Sequence, residues 1–349
     1  MISNKYALAT VCAAVALTTV ACSSSTTPDS ASGSTDSQDS AAMGNAEPAQ
    51  SPASSDPDGD VVDFDAISDV ESAGDVVAVR TADALIIGTP DQLKAGSGEQ
   101  VAVDAACGDL TATADGFVLG CGDKVLIYPA DNPSAPETVA VTEDFPVTAA
   151  TQLSSGEIFV ASNDAAEVSV YKDGKRIDTM KVQAPTDQIE AVRNEGGTDN
   201  VVRVWRMDTT IQNLDWTNNR EGGRLRVGQG LGQISDATDG VIVTSDTGGK
   251  RIAIYTADDV VRLHQYGNLD GIPWAVAWDT SRSLAWITTT DNNQAHAFDI
   301  ASGVPVEKTE DKPVSTVADA QHMTVTDSGT VVLGSATGDG LQIITDPAL

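Results

Sequence analysis

The sequence predicts an all-β fold, a single β-propeller with seven four-stranded blades, and three observations support this prediction. The stretch 271–307 reads as four short strands, because alternating apolar and β-branched residues stand between Gly, Pro, Asn and Asp clusters. Weaker copies of this pattern recur about every forty residues, which is the sign of a repeat architecture. No segment keeps a helical apolar period, so few helices are expected. Six or eight blades are also compatible with the repeats.

The chain opens with features of an exported protein. Residues 1–21 carry one cation, Lys5, followed by an apolar run too short to span a membrane, which predicts a signal peptide. The segment Thr19-Val20-Ala21-Cys22 resembles the bacterial lipobox. This resemblance implies that Cys22 becomes the new N-terminus and carries the lipid, palmitate included. An ordinary cleaved signal, with Cys22 incidental, is the alternative.

Residues 22–62 follow as a predicted tether. They are rich in Ser, Ala, Asp and Pro and contain almost no large apolar side chain. Such a segment cannot bury enough surface to offset its ordering entropy, so disorder is expected. The propeller is then assigned to residues 63–349.

Composition limits the classes of partner. The chain of 349 residues has a formal net charge of -31 and only 4% aromatic residues. This charge repels phosphate backbones and anionic headgroups, so nucleic acid is not expected as a partner. A core built from Val, Ile, Leu and Ala is expected.

Two regularly spaced markers divide the propeller into units. Hairpin turns recur along the chain, and a strand that ends in an aromatic residue recurs at Tyr128, Tyr171, Tyr255 and Phe298. The missing copy is expected near Thr209–Leu214. The predicted units are 64–103, 104–141, 142–182, 183–232, 233–269, 270–314 and 315–349, and one terminus is expected to donate a strand to the blade at the other.

The cysteines predict one disulfide. Cys12 leaves with the signal peptide and Cys22 takes the lipid, which leaves Cys107 and Cys121 as a pair in an exported chain. They flank a hairpin whose strands bring them close to opposite each other. No His stands nearby to complete a metal site.

The mouth of the central channel is the predicted ligand site, because the loops that lead into the innermost strands surround it. The residues assigned to this mouth by spacing are Asp109, Thr148, Asp187, Gln188, Asp236, Trp274 and Gln321. The ring is polar and acidic, which suits a sugar, a cation or a basic peptide. A water-filled channel without a ligand fits the same residues.

One concentration of cations stands out in the fourth unit. It is a candidate patch for an anion or an acidic partner, and it comprises Arg203, Arg206, Arg220, Arg224 and Arg226. Alternate strand positions that point to solvent are the other interpretation.

The segment Trp286–Asn293, followed by a strand and a small-residue turn, resembles the YVTN repeat of lactonase-like seven-bladed propellers. Phe159–Asn163 and Val243–Asp246 are looser copies. The order of the predicted segments, a leader, a tether and a propeller, also resembles that of the actinobacterial surface lipoproteins labelled LppL. No residue matches the lactonase catalytic positions, and the three His fall in different units. No catalytic residue, metal or cofactor is therefore expected.

These observations favour a monomeric lipoprotein, held on the extracytoplasmic face of the cell membrane through lipid on Cys22. Its propeller is expected to act as a non-catalytic binding or scaffold module for a protein or a cell-envelope ligand. The alternative is a lactonase-like or metal-assisted hydrolase that uses the central channel. A quinone-using redox protein is a third class.

Overall fold

The computed structural model describes residues 44–347, except 195, 259, 301–306 and 310–311. The predicted signal peptide, Cys22 and the first part of the tether lie outside the described residues. The propeller belongs to a compact unit, Ala41–Leu349. Among the described residues, no helix is both long and apolar enough to cross a bilayer.

The described residues form seven antiparallel sheets, which confirms the predicted all-β fold and blade number. Blades 1 to 3 follow each other directly in the chain. Blade 1 contains β2 to β5 (Asp69–Ala73, Val76–Arg80, Ala84–Gly88, Glu99–Ala102), blade 2 contains β6 to β9 (Leu110–Ala112, Gly116–Cys121, Lys124–Pro129, Glu137–Ala140), and blade 3 contains β10 to β13 (Ala149–Gln152, Ile158–Ala161, Glu167–Lys172, Lys175–Lys181).

Blades 4 to 6 continue the same pattern. Blade 4 contains β14 to β17 (Gln188–Val192, Asn200–Trp205, Thr210–Asp215, Arg220–Arg226), blade 5 contains β18 to β21 (Leu231–Asp236, Val241–Asp246, Arg251–Thr256, Arg262–Asn268), and blade 6 contains β22 to β26 (Pro273–Asp279, Leu284–Thr289, Gln294–Asp299, Glu307–Lys308, Val314–Ser315). The strand expected near Thr209–Leu214 is β16. Helices are few: α1 (Pro90–Lys94) and the 3-10 turns Arg206–Asp208, Trp216–Asn218 and Thr290–Asn292.

Blade 7 closes the ring with strands from both ends of the chain. It contains β27 to β29 (Ala320–Val325, Val331–Ser335, Leu341–Ile344) and, as its outermost strand, β1 (Asp60–Val62). β1 pairs antiparallel with β29, with Asp60 opposite Ile343. The strand donation expected from one terminus is therefore made by the N-terminal segment.

The two faces of the ring differ in the loops that they carry. We call the upper face the one that bears the loops leading into the inner strands and the loops between second and third strands. The lower face bears the hairpin turns between first and second strands.

Residues 44–62, predicted as the end of the tether, are ordered on the ring. On the upper face, Asn45 N donates to Arg206 O at 2.7 Å and Ser51 Oγ donates to Thr290 O at 2.6 Å. Ser54 Oγ donates to Thr316 O at 2.7 Å. We call residues 44–54 the upper-face segment. Its polar composition predicted disorder, but backbone and serine hydrogen bonds, rather than apolar burial, hold this segment in place.

The aromatic residues that marked the repeats are core residues. Each is the next-to-last residue of the third strand of its blade and is almost fully buried: Tyr128, Tyr171, Tyr255 and Phe298. Tyr171 of blade 3 packs with residues of blade 2, and Phe298 of blade 6 packs with residues of blade 5. The recurrence therefore reflects blade-to-blade packing, which each blade must repeat.

A disulfide joins Cys107 and Cys121, as predicted. Cys107 lies in the loop that leads into β6, and Cys121 ends β7. The bridge therefore connects two parts of the upper face of blade 2.

Candidate functional site

A cavity of about 200 Å³ lies in the central channel. Its lining comes from the inner strands of blades 1, 2, 4, 5, 6 and 7 and from the turns that follow them. Among the lining side chains are the carboxylates of Asp69, Glu71, Asp109, Glu190 and Asp236. We call these five residues the channel carboxylates.

The strand positions place the channel carboxylates at three heights. Asp69 opens β2 and Asp109 immediately precedes β6, so both lie near the upper face. Glu71 and Glu190 each lie two residues after the first residue of their strands, β2 and β14. Asp236 is the last residue of β18 and lies toward the lower face.

Hydrogen bonds fix the upper end of the channel. Asp69 Oδ2 accepts from Leu110 N at 3.0 Å, and its Oδ1 lies 3.7 Å from His322 Nδ1. Arg80 is buried beside this point and donates to the carbonyl oxygens of Gly108 and Cys107. These contacts tie blades 1, 2 and 7 together.

Arg206 provides the corresponding link between blades 4 and 5. Its backbone N donates to Asp187 Oδ2 at 2.7 Å, and its Nε donates to Gly232 O at 2.6 Å. Gln188 continues this network, because its Nε2 donates to Ile234 O and to Glu190 Oε1, each at 3.0 Å.

Burial of the channel carboxylates changes their acidity. Burial, reinforced by the neighbouring carboxylates, raises the pKa of Glu71 and Glu190 well above the ordinary value. Burial also raises the pKa of Asp109, although Arg206 and Arg80 oppose part of this shift. The pKa of Asp236 rises to about 6, chiefly through burial and against the attraction of Arg193. The channel carboxylates with raised pKa values therefore release their protons less readily than exposed carboxyl groups do, and a bound cation would favour their ionised form.

The structure brings three of the predicted mouth residues into one cavity, namely Asp109, Gln188 and Asp236. Asp187 lies beside Arg206 instead. Thr148 is part of a loop contact, because its carbonyl oxygen accepts from Asp109 N at 2.8 Å.

The other two predicted mouth residues do not line the cavity. Trp274 is 8% exposed and belongs to the core between blades 6 and 7. At Gln321 the register of β27 shifts between Ala320 and His322, so the next residue, His322, lines the channel. Glu71 and Glu190 were missed because the prediction stopped at the loops. Alternation along the inner strands carries channel-facing positions two residues further.

The five arginines predicted as one patch are separated by the structure. Arg203 is 2% exposed and donates to Ala184 O at 2.9 Å and to Gln212. Its pKa is lowered to about 10, mainly by burial. Arg206 lies at the channel. Because β15 is an interior strand of its sheet, a side chain on it packs against a neighbouring blade instead of reaching solvent.

The remaining three arginines lie on β17, the outermost strand of blade 4. Arg220 pairs with Asp215, and Arg224 pairs with Asp208. Arg226 is exposed. Two of the three cations are thus neutralised by aspartates of the same blade.

Within residues 44–347, as far as they are described, no group of three or more His, Cys, Asp or Glu is arranged to hold a metal ion. The three histidines lie apart: His264 is exposed, His296 is buried, and His322 lines the channel. The arrangement of the channel suits the binding of a positively charged group and the exchange of protons with it.

No family profile and no curated protein sequence matches the chain. Solved structures do match. The WD40 β-propeller domain of Doa1 has a TM-score of 0.56 at 14% identity, over 84% of this chain and 95% of that one. Hydrazine synthase of Kuenenia stuttgartiensis has a TM-score of 0.63 at 10% identity, over 84% of this chain and 100% of that one. A chain of the mitotic checkpoint complex has a TM-score of 0.62 at 12% identity, over 94% of this chain and 98% of that one. At these identities the likeness shows a shared β-propeller fold, which commonly serves as a binding or scaffold module.

Proposed function

We propose that the protein is a non-catalytic binding module, anchored by lipid to the outer face of the cell membrane, that captures an envelope ligand or protein in its central channel. The observation that carries the proposal is the channel itself, where five carboxylates converge in one small cavity. Sites that bind a ligand are concave and contain a few convergent polar groups.

The Cys107–Cys121 disulfide supports an exported location. Disulfides persist in oxidising compartments and are rare in the cytosol. The apolar leader and the lipobox-like Thr19–Cys22 segment support the anchor. Stable anchoring needs more than one acyl chain, which a lipoprotein cysteine supplies.

The anchor is tested by fractionation of cells that express Cys22→Ala. This variant is expected in the soluble fraction, whereas the wild type stays with the membranes. Cys12→Ala is the matched control, because it removes a thiol from the leader and leaves the proposed lipid site intact. If Cys22→Ala stays with the membranes, lipid on Cys22 is not the anchor.

The ligand is sought by affinity capture of the lipidated protein from its own envelope, followed by mass spectrometry. A Glu71→Gln/Glu190→Gln double variant serves as the comparison, because it neutralises the middle of the channel without removing bulk. A partner that binds in the channel is expected to co-purify with the wild type and not with the double variant. Equal capture by both proteins would place the binding surface elsewhere.

A hydrolase of the lactonase-like class is the second candidate, and the raised pKa values of Glu71, Asp109 and Glu190 favour it. A carboxyl with a raised pKa keeps its proton to a higher pH than an ordinary carboxyl does, which is the property that a general acid requires. Lactone and ester hydrolysis by the purified protein is the measurement. If the wild type hydrolyses such a substrate and Glu190→Gln does not, the protein would be assigned to the hydrolases.

A further inference from the structure

We infer that the channel binds one positively charged organic group, a primary ammonium or a guanidinium, which enters from the lower face. The inference rests on the proposed function for the location of the site and adds the chemical class of the ligand and the direction of its approach.

The first step is the charge balance in the middle of the channel. Asp109 has Arg80 and Arg206 close enough to oppose its burial, and Asp236 has Arg193. Among the described residues, no lysine or arginine forms an ion pair with Glu71 or Glu190, and the charges that act most strongly on their pKa values are those of other carboxylates. Two carboxyl groups therefore share the channel without a cation from the protein.

The second step concerns oxygen atoms that lack a donor. Glu190 is 8% exposed, and only its Oε1 accepts a hydrogen bond, from Gln188. Asp109 Oδ2 is buried without any hydrogen-bond partner. No described group donates to Glu71. Buried polar atoms are normally hydrogen-bonded, so Asp109 Oδ2 calls for a donor from outside the chain, and the oxygens of Glu71 and Glu190 in the same cavity are acceptors that such a donor can also reach.

The channel carboxylates favour a ligand group that has several hydrogen-bond donors and a positive charge. An ionised carboxylate only accepts hydrogen bonds, whereas ammonium has three donors, guanidinium has five, and neither accepts. The cavity of about 200 Å³ is smaller than the pockets of roughly 300–1,000 Å³ that hold whole drug-sized ligands. It has room for the charged end of a ligand and for part of an alkyl stem.

The fourth step gives the direction of approach. The upper-face segment lies across the loops of blades 4 to 7, and Ala46 packs against the core cluster that contains Trp274. At the upper end of the channel, the Asp69–Leu110 and Arg206–Gly232 hydrogen bonds also link neighbouring blades to each other. On the lower face, the cavity lining continues into the turns that contain Gly74, Ala114, Thr280 and Asp327. The lower face is therefore the open one.

The test uses the full chain in detergent and a pair of probes whose α-amino groups are blocked, Nα-acetyl-arginine amide and Nα-acetyl-citrulline amide, called arginine amide and citrulline amide below. The two have nearly the same shape, but only arginine amide carries a guanidinium charge. Isothermal titration at pH 7.5 and low salt is expected to show binding of arginine amide and none of citrulline amide.

Two variants connect the binding to the channel. Glu190→Gln is expected to weaken the binding of arginine amide at least about tenfold, since a hydrogen bond between charged groups contributes about 1.5–3 kcal/mol. Asp131→Asn is the matched control: it removes the same charge from an exposed loop of blade 2 and is expected to leave affinity unchanged. Thermal melting verifies that each variant is folded, and the two probes test the wild type without any variant.

Several results would overturn the inference: equal heats for the two amides, no heat for arginine amide, or full affinity in Glu190→Gln. Calcium that binds and displaces arginine amide would assign the channel to a metal instead. If Cys22→Ala leaves the membrane while arginine amide fails to bind, only this inference falls. If arginine amide binds but Cys22→Ala stays on membranes, only the proposed anchor falls.

Discussion

Neutralising Asp236 is expected to stabilise the protein at neutral pH and to have little effect below about pH 4. The pKa of Asp236 in the folded protein is about 6, against 3.8 for the ordinary carboxyl. The folded state therefore binds a proton more tightly than the unfolded state, and stability from this group is lost as pH rises from about 4 through 6. Glu71, Asp109 and Glu190, whose pKa values are also raised, act with the same sign.

The magnitude follows from the shift and from the exposure of the group. A shift of about two units corresponds to roughly 3 kcal/mol. The side chain of Asp236 is 32% exposed, and Arg193 Nε lies 3.9 Å from its Oδ2, so solvent screening reduces the effect. We expect Asp236→Asn to raise the free energy of unfolding by about 1–2 kcal/mol at pH 7.5.

Urea unfolding of the wild type and Asp236→Asn at pH 3.5, 5 and 7.5 measures this difference. The stabilities of the two proteins are expected to differ little at pH 3.5 and to separate as pH rises from about 4 through 6, with the full difference present at pH 7.5. Asp131→Asn, on an exposed loop, is expected to show no such divergence. A variant that is less stable than the wild type at pH 7.5, or a gap that is independent of pH, would refute the argument that burial controls this carboxyl.

Four further predictions concern stability. Replacing Cys107 and Cys121 by Ala is expected to lower the unfolding free energy by about 3 kcal/mol, from a sequence separation of 14, and a thiol assay on the denatured, unreduced protein should find neither thiol free. Trp286→Ala, at a side chain with 0% exposure, is expected to cost about 3–5 kcal/mol in denaturant unfolding. Arg203→Met is expected to lower the unfolding free energy by about 1–3 kcal/mol, because the oxygens that accept hydrogen bonds from Arg203 lose their donor. Binding of arginine amide is expected to stay unchanged, and weaker binding would indicate that Arg203 is part of a ligand site. A chain that starts at residue 63 leaves β29 as an open edge and is expected to melt below one that starts at residue 44, and equal melting temperatures would contradict the closure by β1.

The repeat pattern of the sequence was sufficient to predict the blades. Each blade must place similar side chains at similar positions, since it packs against two similar neighbours. Tyr171 and Phe298 therefore recur at the ends of third strands and mark the repeat before any coordinates are known. The Cys107–Cys121 pairing was predictable for a related reason, because the hairpin between the two cysteines is local in sequence.

The position of the N-terminal segment depended on the tertiary structure. Its composition resembles that of a disordered linker, and nothing in residues 44–59 signals a partner. The acceptors and donors that hold it, such as Arg206 O, Thr290 O and Thr316 O, lie far away in the chain. They come together only when the ring has closed.

The sequence by itself determined the propeller architecture, the approximate blade limits and the acidic character of the channel, whereas the structure settled the number of blades at seven. Only the tertiary structure decided that Glu71 and Glu190 share one cavity, that Arg203 is buried, and that the cavity lining continues into the turns of the lower face. The physical reason is that strand alternation is a local property of the chain. The environment of a charge, by contrast, depends on which residues other blades bring beside it.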